Sequence, residues 1–107
     1  MKPKKLRFRE LDDYFTFSER NPSHIHLETF KVLKREWTKR KKCVDIDLFE
    51  IELTDDIEVT EMTFNVLKEE WVEALQLCLE HFEEREEYEM CTPINKLLIS
   101  IKNKINN

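Results

Sequence analysis

A decapeptide that occurs twice constrains this chain more than any other feature. ETFKVLKREW from Glu28 returns thirty-four residues later as MTFNVLKEEW from Met62, with Thr, Phe, Val, Leu, Lys, Glu and Trp in the same places. Phe30, Leu33 and Trp37 recur as Phe64, Leu67 and Trp71 at i, i+3 and i+7, which is one stripe of an amphipathic helix. The same offset pairs Phe15 with Phe49, Phe17 with Ile51 and Ile25 with Val59. The repeat therefore predicts a duplicated strand-turn-helix unit over about 10–43 and 44–78. A period of this length also suggests tetratricopeptide arrays, but two copies with strand-like halves do not make such a solenoid. With 107 residues the chain has room for a single core and is read as one domain, 1–107.

Along the chain, Leu6 and Phe8 alternate with Lys5, Arg7 and Arg9, as in a short edge strand with a basic face. DYFTF at 13–17 reads as a strand and SERNPS as a turn, and His26 to about Lys41 is the first repeat helix. At 44–53 the alternation runs Val44, Ile46, Leu48 and then Phe49, Ile51, Leu53, and this phase slip predicts a bulge or bend. TDD at 54–56 makes a turn, and Thr60 is the expected N-cap of a second helix carrying Phe64, Leu67, Trp71, Leu75, Cys78, Leu79 and Phe82. If it ran to Tyr88, it would span ~42 Å at 1.5 Å per residue, so its far end should protrude or pack on the last segment. There Thr92 and Pro93 read as N-cap and N1, followed by Ile94, Leu97, Leu98, Ile101 and Ile105 at helical spacing. The expected class is α+β: a small antiparallel sheet, two repeat-related helices and a C-terminal helical hairpin over 60–105. Because two strands alone are marginal, a third from 5–9 or a homodimer should complete the sheet.

The sequence contains no glycine. Phosphate-cradling loops and nucleophile elbows need Gly where backbone and ligand approach closely, which removes most nucleotide-dependent and α/β-hydrolase enzymes. The protein is expected not to be an enzyme and to need no cofactor. Three cysteines, Cys43, Cys78 and Cys91, make no CxxC pair and read as reduced thiols. No run approaches the ~20 apolar residues of a membrane span and no signal-peptide pattern follows the basic start, so a soluble cytoplasmic protein is expected. Small, glycine-poor, charge-rich chains of this kind are frequent among phage and mobile-element accessory genes.

Charge is laid out in blocks. Residues 1–43 hold thirteen Lys and Arg against six Asp and Glu, a formal +7; residues 44–91 hold two against seventeen, −15; the last sixteen residues add three lysines. The basic block centres on Lys34, Arg35, Lys39, Arg40, Lys41 and Lys42, a set suited to phosphates. Its plainer account is a solvated face paired with the acidic helix. The acidic block, with Glu73, Glu80, Glu83, Glu84, Glu86 and Glu87, exceeds what solubility requires and is suited to steering a basic partner. His24 with His26, and Cys78 with His81, lack a fourth ligand at zinc spacing, so no metal site is assigned. Asp45, Asp47, Asp55 and Asp56 have no Lys or His base fixed beside them by the pattern and read as strand and turn carboxylates.

EEYEMCTPINKLL, Glu86 to Leu98, resembles the short UvrB/UvrC-type helical hairpin, with Tyr88, Glu89, Cys91, Ile94 and Leu98 in its acidic-aromatic, small and apolar places. Pro93 departs from that family's continuous second helix. Such hairpins dock proteins, so the resemblance implies partner binding. The functional expectation is a non-enzymatic interaction protein that binds a protein partner through its acidic helix and hairpin, for example as a phage or mobile-element modulator of a host complex. Nucleic-acid binding by the basic helix 31–42 and a homo-oligomeric structural role are the alternatives.

Overall fold

The computed structural model describes residues 4–54 and 60–105. In chain order they form β1 (Lys4–Phe8), α1 (Leu11–Arg20), α2 (His24–Arg40), β2 (Ile46–Leu53), β3 (Thr60–Val66), a 3-10 turn (Lys68–Glu70), α3 (Trp71–Glu84) and α4 (Tyr88–Ile105). The class is α+β as expected, and α3 and α4 form a C-terminal helical hairpin. The three strands lie in the order β1-β2-β3. The sheet is mixed rather than antiparallel: β1 runs parallel to β2, with Leu6 opposite Ile51, and α1 and α2 form the long crossover such a pair requires. The third strand expected from 5–9 is β1.

β3 returns antiparallel to β2, with Phe64 opposite Phe49 and their rings stacked at 4.6 Å. The register slips between Asp47 and Phe49, where the phase slip predicted a bulge or bend. The bulge lets the consecutive residues Leu48 and Phe49 both be buried. On the other face, Lys5 and Arg7 lie opposite Glu50 and Glu52, and Arg7 and Lys5 pair with Glu52 and Glu61 at 3.0 Å. The basic first strand is thus partly neutralised within its own sheet.

Residues 13–17 are helical, against the strand expectation. Phe15 and Phe17 suggested period two, but the buried stripe is Tyr14 with half-buried Phe17, and Phe15 is exposed. The start of α1 is set by Glu10, whose backbone N–H donates to the Asp13 carboxylate, and by Asp12 and Asp13 in the first turn. Tyr14 then reaches across the sheet, from Phe8 on β1 at 5.5 Å to Phe64 on β3 at 5.9 Å.

The larger correction concerns the decapeptide. Its first copy lies in α2, but its second copy is strand β3, the 3-10 turn and the first residue of α3. Thr60 begins a strand and caps no helix, and only one of the repeat-related segments is a helix. Thr60 to Val66 alternates polar and apolar, three of its seven residues are β-branched, and Asn65 stands where the first copy has the better helix former Lys31. With β2 alongside, period two prevails. The 3-10 turn is fixed by two carboxylates: Asp45 accepts the Lys68 N–H at 2.8 Å, and Glu70 accepts the Leu67 N–H at 2.9 Å. Leu33 is wholly buried, whereas Leu67 is 45% exposed.

α3 is therefore 14 residues long, ~21 Å, half the length that a helix from 60 to 88 would have had. α4 begins at Tyr88, so Thr92 and Pro93 lie inside it rather than at its start. Pro93 forgoes one hydrogen bond, to the carbonyl of exposed Glu89. The TDD turn falls mostly outside the described residues.

Two aromatic contacts orient the helices. His26 stacks on His81 at 4.3 Å, joining the start of α2 to the end of α3, while Trp37 meets Trp71 at 6.5 Å at their opposite ends. Trp71 is fully buried and donates its Nε1–H to the Val44 carbonyl at 2.8 Å. The two tryptophans of the repeat thus share one core. α4 returns along α3, and the Lys104 ammonium sits 5.7 Å above the Trp37 ring. α2 and α4 consequently run in the same direction, each antiparallel to α3.

Candidate functional site

This arrangement carries the two charge blocks to opposite ends of the helix layer. At one end lies the α3–α4 turn. Glu80, Glu83, Glu84 and Glu86 are exposed there, Glu87 is half-buried, and Tyr88 beside them is 63% exposed. Glu73 belongs elsewhere: it sits in the first turn of α3, in a shallow groove against β3 with Val66, Ala74 and Leu77. The turn is a complete Schellman motif, since Glu87 N–H donates to the Phe82 carbonyl at 2.9 Å and Glu86 N–H to the Glu83 carbonyl at 3.0 Å. Its left-handed residue, usually Gly, is Glu86 at φ 58°. Glu83 and Glu84 occupy the last turn of α3, where a helix dipole disfavours negative charge. Arg85 pairs with Glu87 at 3.3 Å.

At the other end the C-termini of α2 and α4 converge. Lys34, Arg35, Lys39, Arg40, Lys41 and Lys42 are all exposed. Among the described residues no ion pair joins them to the acidic helix; Arg40 pairs within α2 with Glu36 at 3.4 Å, and Lys34 lies 5.7 Å over the Phe30 ring. A cavity of about 380 Å³ opens here, with Trp37, Cys43 and Ile105 as apolar walls and Lys41, Lys42, Lys68, Lys104 and Glu69 as charged ones. Lys41 ends α2 in the left-handed region at φ 53°, its N–H bonded to the Trp37 carbonyl at 2.9 Å. Lys68, Lys96 and Lys104 belong to this basic end but were not singled out from sequence. Lys68 was visible only as the second copy of Lys34, and the other two as a weakly basic tail.

The histidines and Cys78 serve packing. His24 lies between Phe17 and Phe49 at 5.0 and 5.2 Å, and burial pushes its pKa below the ordinary value. Burial and then His81 lower that of His26. Ser23 Oγ is 3.0 Å from His81 Nε2, and Cys78 donates its thiol to the His26 carbonyl at 3.4 Å. Burial pushes the Cys78 pKa up to about 12, so the thiol is not a ready nucleophile. Among the described residues no group of three or more His, Cys, Asp or Glu could hold a metal, and no helix is long and apolar enough to cross a membrane.

Comparison of the chain with protein-family models, curated proteins and solved structures finds no match.

Proposed function

We propose that the protein is a non-catalytic interaction protein that binds a basic protein surface through its acidic α3–α4 turn. The observation that carries this reading is the placement of Glu83, Glu84 and Glu86. Two stand against a helix dipole and the third holds a left-handed backbone, so all three occupy positions that fold stability alone would fill differently. The acidic field steers a cationic partner, and Tyr88 adds an amphipathic ring of the kind enriched at protein interfaces. The apolar contribution comes from the turn itself, since no overlong helix supplies it.

Affinity purification from cell lysate, followed by cross-linking, tests the reading. Wild-type protein should retain a partner cross-linked within 80–91; Glu83→Lys/Glu84→Lys/Glu86→Lys should lose it, and Lys41→Glu/Lys42→Glu should keep it. Retention of every partner by the glutamate variant would refute the reading.

A further inference from the structure

The opposite end carries a different ligand. Three concavities follow one another along α2. One of about 410 Å³ lies on the exposed face of α2 and is bordered by Lys31, Lys34, Arg35 and Lys39. The next, about 340 Å³, shares Lys34 and Thr38 with it and lies between α2 and α4, where Lys96 and Ser100 form the far wall. The third is the 380 Å³ cavity beside Trp37, one turn further along both helices, at Lys41 on α2 and Lys104 on α4. Among the described residues Glu69 is the only carboxylate lining any of the three.

Helix C-termini attract cations, which accounts for Lys39, Arg40, Lys102 and Lys104. It does not account for Lys31, Lys34 and Lys96, which lie within helices, or for Lys68 in the 3-10 turn. A row of ammonium groups beside apolar-floored hollows matches a chain of phosphates carrying flat bases whose faces stack on apolar surface. We propose that this groove, ending in the Trp37 cavity, binds single-stranded nucleic acid. Phosphates lie along the α2 and α4 lysines, and a base enters the cavity walled by Trp37, Cys43 and Ile105. A cavity of this size accepts an unstacked base, whereas the stacked bases of a duplex stay outside it.

Fluorescence anisotropy of 5′-fluorescein-labelled dT12 tests the proposal on the full chain. Binding at ~50 mM salt should weaken about 50-fold by ~200 mM if about four phosphates are contacted. Lys41→Glu/Lys42→Glu/Lys104→Glu should weaken it at least tenfold at ~50 mM salt, with Lys41→Gln/Lys42→Gln/Lys104→Gln intermediate and an unchanged circular dichroism spectrum certifying both folds. Glu83→Lys/Glu84→Lys/Glu86→Lys, which fails the partner test above, should bind dT12 no more weakly than wild type. No binding at ~50 mM salt, equal affinity for a 12-base-pair duplex, or indifference to the lysine changes would overturn the assignment.

Discussion

Lys41 and Glu86 hold left-handed backbone in a chain that has no glycine to offer, and each sits at one of the charged ends. A side chain with a Cβ pays roughly 1–2 kcal/mol for that conformation, and glycine's extra freedom in the unfolded chain returns part of the difference. Glu86→Gly should therefore stabilise the protein by about 0.5–1 kcal/mol, read as a higher urea midpoint at unchanged slope. An equal or lower midpoint would mean that the Glu86 side chain contributes contacts of its own. The histidines give a residue-scale dependence on pH. Burial lowers the folded-state pKa of His24, with nearby Glu28 opposing and Lys4 reinforcing, and burial with His81 lowers that of His26. The unfolded chain, with ordinary values near ~6.5, then binds protons first. Stability should be full above that value and fall as pH drops through it toward the folded-state values, so melting temperature should decline from pH ~7.5 to ~5.5. His24→Phe should flatten the decline; a wild-type melting temperature constant over this range would contradict it.

The decapeptide shows how far local sequence reaches at the scale of an element. Its shared residues satisfy both periods: Phe64, Leu67 and Trp71 fit a helix, while Thr63 and Asn65 alternate with Phe64 and Val66 as in a strand, and of these four only Asn65 differs from the first copy. Asn65 in place of Lys31 tilts the second copy away from helix, but the larger difference lies outside it, in β2 alongside. Met62→Glu/Asn65→Lys/Glu69→Arg makes the second copy identical to the first. Strand β3 should persist in this variant, with circular dichroism unchanged, 62–66 still protected from hydrogen exchange, and no more than about 1–2 kcal/mol of stability lost, because the changed positions are exposed. A gain of helical signal worth a full decapeptide would show that local propensity decides instead. The same contrast explains what the sequence revealed. β1 and the apolar stripe of α4 were legible because each has one dominant period, and the bulge in β2 because its alternation changes phase. α1 was not, because two aromatic residues spaced by two imitate a strand and the Glu10–Asp13 cap shows only in the structure, nor was β3, because its strand identity depends on a partner. Both charged sets could be named from the sequence; that Lys68, Lys96 and Lys104 join the basic one, and that Glu73 leaves the acidic one, follows only from how the helices pack.

Taken whole, the molecule is elongated, 51 × 30 × 18 Å, with acidic and basic ends held apart by the length of α2, about 25 Å. Glutamates crowded at one end repel one another, so reversing two of them should strengthen the fold. Glu83→Lys/Glu84→Lys is expected to raise stability by roughly 0.5–1.5 kcal/mol at low ionic strength, a gain that shrinks toward ~0.5 M salt. Urea titration at both salts checks this, and a destabilised variant would point to an unseen structural use of the acidic turn. The parallel pairing of β1 with β2 has a temporal side. Lys4 aligns with Phe49, so during synthesis the first strand must wait for more than forty further residues, several seconds at ~5–20 residues per second, before its partner exists. Until then its Lys and Arg side chains are its protection against pairing with a neighbouring nascent chain.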